Sequence, residues 1–263
     1  KKGKIFLGNK EPKICRFCNR DSSSTTFKMN AHVLPEFMGN KSLLSYYECD
    51  QCNSHFSKYE TALSNFGGIM NTLSLLQGKK SVPKFKSKDE RLQIKFNSQE
   101  NILNVRATAH NVPNDTDKRE WGKYVDGFKI SDDKKTITFK TTKPSYIPRH
   151  VFKAFVKVGF GLLPIDSLPY YEKARKWLIN EIDDEKIENL SLFHVYRQYG
   201  KLLKKPVVYL ARKKKLYERV PSPENALLIF YGLYKFQVFL PFNENDEWLW
   251  NQDEIYLPIE NHL

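Results

Sequence analysis

Short apolar segments separated by polar and turn residues predict small strands at the start of the chain. Residues 4–7 carry Ile, Phe and Leu and predict a strand that leads towards the first cysteine. Residues 25–28 and 31–34 fit a hairpin-like pair of extended segments, and Pro35 ends the second of them. The pattern therefore predicts a small, strand-containing unit near the N-terminus.

A helical spacing of apolar residues follows these strands. Asp50 is a typical helix cap, and Gly67-Gly68 is expected to interrupt the helix. Between them, apolar residues recur every three to four positions. They are Phe56, Tyr59, Leu63 and Phe66. The first part of the chain is thus predicted to fold as strand, strand and helix.

Beyond residue 90 the pattern changes to longer alternating and continuous apolar segments. Half-buried strands are predicted at residues 92–96 and 136–140. Helical spacing follows at residues 150–160 and within 168–182. Three continuous apolar runs predict buried strands, at residues 206–210, 226–231 and 236–240.

The expected fold class is α+β, in two domains of unequal size. Residues 1–77 form the smaller domain, which carries four cysteines. Residues 78–90 are polar and basic, contain Pro83 and are predicted to be a linker. Residues 91–263 form the larger domain, which mixes sheet and helix.

Composition and charge narrow the function classes. Hydrophobic residues make up 40% of the chain, which is typical of a folded protein. No apolar run reaches the roughly 18–20 residues that cross a bilayer, and residues 1–13 lack the apolar core of a signal peptide. We therefore expect no membrane partner and a cytoplasmic location. The net charge of +13 favours a polyanionic partner, although a solvated basic surface is the alternative.

The four cysteines occur as two CxxC pairs. Cys15 and Cys18 form the first pair, and Cys49 and Cys52 form the second. Two such turns supply four thiolates to one tetrahedral zinc ion, which is then closed to water and structural. Rubredoxin-like iron is the main competing metal, and two disulfides are the alternative in a secreted chain.

His32 is the histidine enclosed by the two cysteine pairs. A neutral imidazole near pH 7 is suited to activating water as a general base. Phosphodiester hydrolysis needs such a base and a cation that stabilises charge on the departing oxygen. The alternative is a packed or hydrogen-bonded strand histidine.

These motifs together resemble the HNH endonucleases. The resemblance is to the zinc-ribbon-stapled bacterial branch of the ββα-metal (His-Me finger) superfamily, and it covers about residues 13–66. It rests on both CxxC pairs, residues 31–36 (Ala-His-Val-Leu-Pro-Glu), Gly39-Asn40, Asn53 and Glu60. It implies metal-dependent cleavage of phosphodiester bonds in DNA, with RNA left open. His32 would activate water, and Asn53 would help to bind a catalytic Mg²⁺ or Mn²⁺ ion.

The chain departs from the family pattern at three positions. Ala31 stands where many members carry an acidic metal ligand, Leu44 where many carry asparagine, and Asn53 where many carry histidine. Glu60 lies about two helical turns after Asn53 and is expected to replace the missing ligand. Glu36 and Asn30 are local alternatives for that ligand.

The resemblance also suggests residues that orient the base or contact the nucleic acid. Asn40 is expected to orient His32 or to contact phosphate. Five basic residues around the motif are expected to position the phosphate backbone. They are Arg16, Arg20, Lys28, Lys41 and Lys58.

The wider role rests on the resemblance alone. Stand-alone chains of this kind resemble bacterial restriction and anti-phage effectors. Residues 91–263 are expected to supply specificity, regulation or oligomerisation, and through them a regulatory partner or activator would act. One active site per chain favours a homodimer for double-strand cutting. The alternative function is a non-catalytic zinc-ribbon module that binds nucleic acid or protein, which Ala31 and Leu44 support.

Overall fold

The computed structural model describes residues 3–108, 114–115, 128–133, 135–184, 195–215 and 218–258. Helices and small sheets both contribute, which confirms the predicted α+β class. The strands are β1 Ile5–Leu7, β2 Ala31–His32, β3 Leu43–Ser45, β4 Phe85–Lys86, β5 Leu92–Asn97, β6 Ile102–Ala107, β7 Phe128–Ile130, β8 Ile137–Phe139, β9 Val195–Arg212 and β10 Asn225–Phe239. The α-helices are α1 Asp50–Gly67, α2 Ile69–Leu73, α3 Pro148–Leu162 and α4 Glu172–Leu178, and 3₁₀ helices cover Glu36–Met38, Ile165–Tyr171 and Glu244–Asn251.

The N-terminal sheet places β3 between β1 and β2. β1 runs parallel to β3, whereas β2 is antiparallel to it and pairs His32 with Leu44. The predicted hairpin of residues 25–28 with 31–34 is therefore wrong, because the strand that pairs with His32 comes from residues 43–45. The chain continues from β3 into α1, so β2, β3 and α1 form a ββα unit.

Asp50 fastens the segment before β2 instead of capping α1. Its carboxylate accepts hydrogen bonds from Thr26 Oγ1 at 2.5 Å and from the Met29 amide at 2.8 Å. The cap of α1 is Cys49, whose sulfur accepts a hydrogen bond from the Cys52 amide at 3.5 Å. The predicted helix is confirmed, but its first residue and its cap are each displaced by one position from the expectation.

Helix α3 joins the N-terminal unit to the rest of the protein. Its residues from Val151 to Phe160 are all buried, and it packs along α1. Phe17 of the first CxxC turn lies between the two helices, with its ring 4.7 Å from that of Phe56 and 5.4 Å from that of Phe160. The buried side chains of the N-terminal unit, α3, α4 and β10 consequently belong to one continuous hydrophobic cluster.

The two longest strands, β9 and β10, form an antiparallel pair. The predicted strand at residues 206–210 lies in β9. The segments at 226–231 and 236–240 were expected to be separate strands, but they belong to the single strand β10. The register of β10 against β9 shifts on both sides of Gly232, whose φ is +54°. This irregularity explains why the apolar pattern resembles two strands.

The remaining strands form two small sheets. β4, β5 and β6 pair in that order, and β7 pairs with β8. β4 lies within residues 78–90, the predicted linker, and pairs Phe85 with Ile94. The division into two domains stays a prediction. None of the helices in the described ranges is both long and apolar enough to cross a bilayer.

Candidate functional site

The four cysteine sulfur atoms converge at the start of α1. All four lie within 4.8 Å of one another, and the sulfur atoms of Cys18 and Cys49 are 3.7 Å apart. The cysteines are free, so the two CxxC turns are not closed by disulfides. The Cys49 amide also donates a hydrogen bond to the Cys15 sulfur at 3.5 Å, which holds the second turn against the first.

This geometry fits a structural zinc ion. Four Zn–S bonds of about 2.3 Å in a tetrahedron place sulfur atoms about 3.8 Å apart, close to the Cys18–Cys49 separation. Burial raises the pKa of the Cys18 thiol to about 11, so a bound cation is needed to keep it as a thiolate near pH 7. Cys15, Cys49 and Cys52 are buried, which leaves such an ion little access to water.

His32 lies on β2 with its imidazole partly open to solvent. Its Nε2 atom is 3.6 Å from Glu36 Oε1, four residues further along the chain. Its Nδ1 atom is buried and has no hydrogen-bond partner among the described residues. Burial lowers the pKa of His32, while Glu36 and Glu60 oppose that effect, so the ring is neutral near pH 7. With the proton on Nε2, towards Glu36, Nδ1 keeps a free lone pair.

A buried lysine from α3 lies beside this histidine. Lys157 Nζ is 2.9 Å from the carbonyl oxygen of His32, 3.2 Å from Glu48 Oε2 and 3.5 Å from Glu60 Oε1. Only 3% of the Lys157 side chain is exposed. Burial opposes its positive charge, but the two carboxylates outweigh burial and raise its pKa above the ordinary value. We call these four residues, His32, Glu48, Glu60 and Lys157, the lysine cluster.

Glu48 is the most enclosed acid of the lysine cluster. Its side chain is 2% exposed, and Oε1 has no hydrogen-bond partner among the described residues. Burial raises the pKa of Glu48 to about 7, although Lys157 opposes that shift. Removal of the lysine would leave this carboxyl buried without its counter-charge.

The structure brings two of the predicted catalytic residues together. His32 and Glu60 both contact Lys157, and the charge of Glu60 acts on the His32 ring. Asn53 lies at the start of α1, where its Nδ2 atom is 3.8 Å from the Met29 sulfur. No described hydrogen bond joins Asn53 to His32 or Glu60, so its metal-binding role stays a prediction.

Asn40 has a different role from the one expected. Its Nδ2 donates to the carbonyl oxygens of Leu34 and Leu43, and its Oδ1 accepts from the amides of Ser42 and Leu43. The side chain is buried, and these four bonds use its amide fully. Asn40 therefore holds the loop that leads into β3 and is not free to orient His32 or to bind phosphate.

Arg16 also departs from its expected role. It is 8% exposed, and its Nη1 donates to three carbonyl oxygens at the end of α3, those of Phe160, Gly161 and Leu163. Its guanidinium group stacks over the Tyr47 ring at 4.2 Å. Arg16 thus caps the last turn of α3, where the chain leaves the helix and supplies few further amides to the final carbonyl oxygens.

The other four basic residues remain on the surface. Lys28, Lys41 and Lys58 are exposed, and Arg20 donates a solvent-exposed hydrogen bond to Gln51. Lys41 Nζ hydrogen-bonds to the carbonyl oxygen of Gly78. Their contact with nucleic acid stays a prediction.

Three charged residues of the site are either not indicated by the sequence or have a different role from the one that it indicates. Glu36 was a possible metal ligand, but it lies against His32 Nε2. Glu48 directly precedes the zinc-ligand candidate Cys49. This position next to the cysteine was the signal in the sequence that Glu48 could be a buried acid, which is unusual for glutamate. Lys157 lies more than 100 residues downstream, on an apolar face of a helix. Its apolar neighbours were the signal in the sequence that this lysine is buried.

Comparison with known proteins agrees with this geometry. A family model described as HNH endonuclease matches residues 15–65, which include both cysteine pairs, β2, β3 and most of α1. No curated protein and no solved structure matches the chain. The residues of the match contain His32, Glu36, Glu48 and Glu60, whereas Lys157 lies outside it. Residues 15–65 therefore match the HNH endonuclease family, and the four clustered cysteines lie within that match.

Proposed function

We propose that the protein is a metal-dependent HNH endonuclease that hydrolyses phosphodiester bonds in DNA. One observation carries this proposal: a partly exposed histidine, His32, lies inside the matched segment on the strand of a ββα unit, next to a cluster of four cysteines. The matching family model is described as an endonuclease, and the basic charge of the chain suits a polyanionic substrate.

His32 is the general base of the proposed reaction. An unprotonated ring nitrogen of His32 takes a proton from a water molecule, and the resulting hydroxide attacks the phosphorus atom. A bond forms between that oxygen and phosphorus, the phosphorus–oxygen bond to one sugar breaks, and the departing oxygen takes a proton from solvent. Glu36 lies 3.6 Å from Nε2, where its negative charge would stabilise the imidazolium that forms when His32 takes the proton.

The residues around His32 suit a hard divalent cation. Asn53 and Glu60 would hold it, since both lie on α1 and offer oxygen atoms as metal ligands. Glu60 is the partly exposed acid of the lysine cluster. Such an ion would stabilise negative charge on the phosphate and on the departing oxygen. Mg²⁺ keeps several of its water ligands and needs only one or two carboxylates from the protein. This preference explains why a site can work without a preassembled set of acidic residues.

The substrate contacts and the biological role belong to the same proposal. The exposed Arg20, Lys28 and Lys58 lie on the N-terminal unit and would contact phosphate groups through charge. A role as a restriction or anti-phage nuclease is proposed from the family resemblance. Residues 91–263 would then supply the target preference, a regulatory contact or a second copy of the chain.

The deciding experiment is cleavage of supercoiled plasmid DNA. We expect nicking or linearisation with Mg²⁺ or Mn²⁺, none with EDTA, and a loss of at least about 100-fold in His32→Ala. His55→Gln is the matched control, because His55 also lies in the domain but faces Tyr59 and the Leu178 carbonyl oxygen. Cleavage by a clean His32→Ala preparation at the wild-type rate would remove His32 as the base.

A non-catalytic zinc module is the second candidate, and Ala31 favours it. Ala31 is buried on β2 opposite Ser45, so this position offers no carboxylate to a metal. Binding of Mn²⁺ to zinc-loaded protein, followed by electron paramagnetic resonance, separates the two candidates. A site that Glu60→Gln weakens supports the nuclease. Normal DNA binding without such a site and without cleavage would favour the non-catalytic module.

A further inference from the structure

Lys157 lies outside the segment that matches the HNH family, yet its ammonium group lies among residues of the proposed active site. It comes from the middle of α3, a helix that is otherwise largely apolar. Its Nζ atom contacts the His32 carbonyl oxygen at 2.9 Å and Glu60 at 3.5 Å. Among the four residues of the lysine cluster, the cation Lys157 is therefore the one that the family segment does not supply.

The ammonium group of Lys157 makes one hydrogen bond and two ion-pair contacts. An ammonium has three hydrogens, and here three oxygen atoms from His32, Glu48 and Glu60 surround it. One oxygen belongs to the backbone of β2 and another to a side chain of α1. A single buried group thereby sets the distance between the strand that carries the base and the helix that carries Glu60.

We propose that Lys157 is a positioning residue of the nuclease site, acting through His32 and Glu60 with Glu48 as its buried counter-charge. This inference rests on the proposed function. The side chain is 3% exposed, so it is too enclosed to contact a phosphate group directly. Misplacement of catalytic groups by about 1 Å is enough to lower rates strongly, which gives a fixed cation in this position a functional consequence.

Lys153 provides an internal comparison for a purely structural lysine. It lies one turn earlier on α3, is 2% exposed, and forms an ion pair with Asp184 at 3.1 Å. It also donates to the Trp177 carbonyl oxygen and to Asn180 Oδ1, at the end of α4. Lys153 thus has the same helix, burial and kind of partner as Lys157, but its partners lie away from His32.

The experiment compares two paired variants of the full chain. In Lys157→Met with Glu48→Gln, neither charge of the pair is left buried alone, which protects the fold. Lys153→Met with Asp184→Asn is the matched control. For each we would measure the single-turnover cleavage rate at saturating Mg²⁺ and the His32 imidazole pKa by NMR without Mg²⁺. The charges that act on His32 are those of Glu36, Glu60, Lys157 and Lys41.

We expect the Lys157 pair of changes to lower the cleavage rate about tenfold or more and to raise the His32 pKa, because a nearby positive charge is removed. The control pair should change neither quantity beyond its effect on stability. Equal rate losses in both variants with unchanged His32 signals would make Lys157 merely structural. If the wild-type protein cuts no nucleic acid, the nuclease proposal fails and the positioning role fails with it. If the wild-type protein cuts and the Lys157 pair of changes leaves the rate unaltered, only the positioning role is overturned.

A second measurement needs no variant of Lys157. Ammonium protons that are held by three acceptors exchange slowly and give resolved NMR signals. Mn²⁺ bound near Asn53 and Glu60 should broaden the Lys157 signal more than that of Lys153. Equal broadening of both signals would overturn the proposal, because Lys157 would then lie no closer to the metal than its structural counterpart.

Discussion

At the scale of single residues, burial decides what the charges around the HNH motif do. Arg16 lies within the first cysteine pair and Lys28 in the segment that follows it. Arg16 is buried against the end of α3, whereas Lys28 is exposed. Sequence alone could indicate that both are basic but could not separate them, because the acceptors of Arg16 lie about 145 residues away along the chain. The clustering of the four cysteines, by contrast, is predictable because it depends on the short, local spacing of two CxxC pairs, whereas the role of His32 stays a prediction.

Replacement of Arg16 tests this structural role. Arg16→Met removes three hydrogen bonds to buried or partly buried carbonyl groups, and we expect it to lower the free energy of unfolding by about 2–3 kcal/mol. Arg20→Met is the control, since Arg20 makes an exposed bond to Gln51 and should cost less than about 0.5 kcal/mol. Urea denaturation measures both. Unchanged stability in Arg16→Met together with weaker DNA binding would restore the original expectation for Arg16.

At the scale of secondary-structure elements, periodic segments were predictable and pairings were not. The helical spacing in α1 and in α3 identified both helices from the sequence. The partner of β2 was missed, because β3 is a three-residue strand with no alternation that marks it. β10 was divided at Gly232, since a glycine within a strand resembles a turn when only the sequence is considered.

Gly232 tests the importance of that irregularity in β10. A Cβ atom at this position would collide with the Ser74 side chain, and its φ of +54° is unfavourable for residues other than glycine. We expect Gly232→Ala to destabilise the protein by about 2–4 kcal/mol. Gly161→Ala is the control, because its Cβ would meet only Val33 at 4.0 Å and should be neutral or slightly stabilising. Similar unfolding midpoints for both variants would show that the strand adapts easily.

At the scale of the whole molecule, residues 15–65 and the region beyond them share a hydrophobic interior. Phe17, Phe56 and Phe160 are in contact, and the cluster continues to Phe236 of β10. The polar, basic residues at 78–90 predict a linker, but such a pattern reports only local polarity and does not show which distant surfaces pack together. The sequence also leaves the role of residues 91–263 open, since the family match ends at residue 65.

Removal of zinc tests the shared interior. Chelation, or Cys49→Ser, releases the turn that carries Phe17 from its place between α1 and α3. We therefore expect one cooperative thermal transition that shifts down as a whole by about 10 °C or more, measured by calorimetry. Two transitions, of which the second keeps its wild-type midpoint, would instead support the predicted division into separate domains.

Helix α3 and the N-terminal unit each extend a charged side chain into the other. Arg16 of that unit reaches the carbonyl groups at the end of α3, and Lys157 of α3 reaches His32, Glu48 and Glu60. A gene fusion that carried residues 15–65 alone into another protein would leave the two carboxyl groups and the carbonyl group of that fragment without the lysine that they contact. The remainder of the original protein would keep α3 without the arginine that caps it. Natural recombination should accordingly inherit the two segments as a linked pair, although only the first bears the recognisable signature.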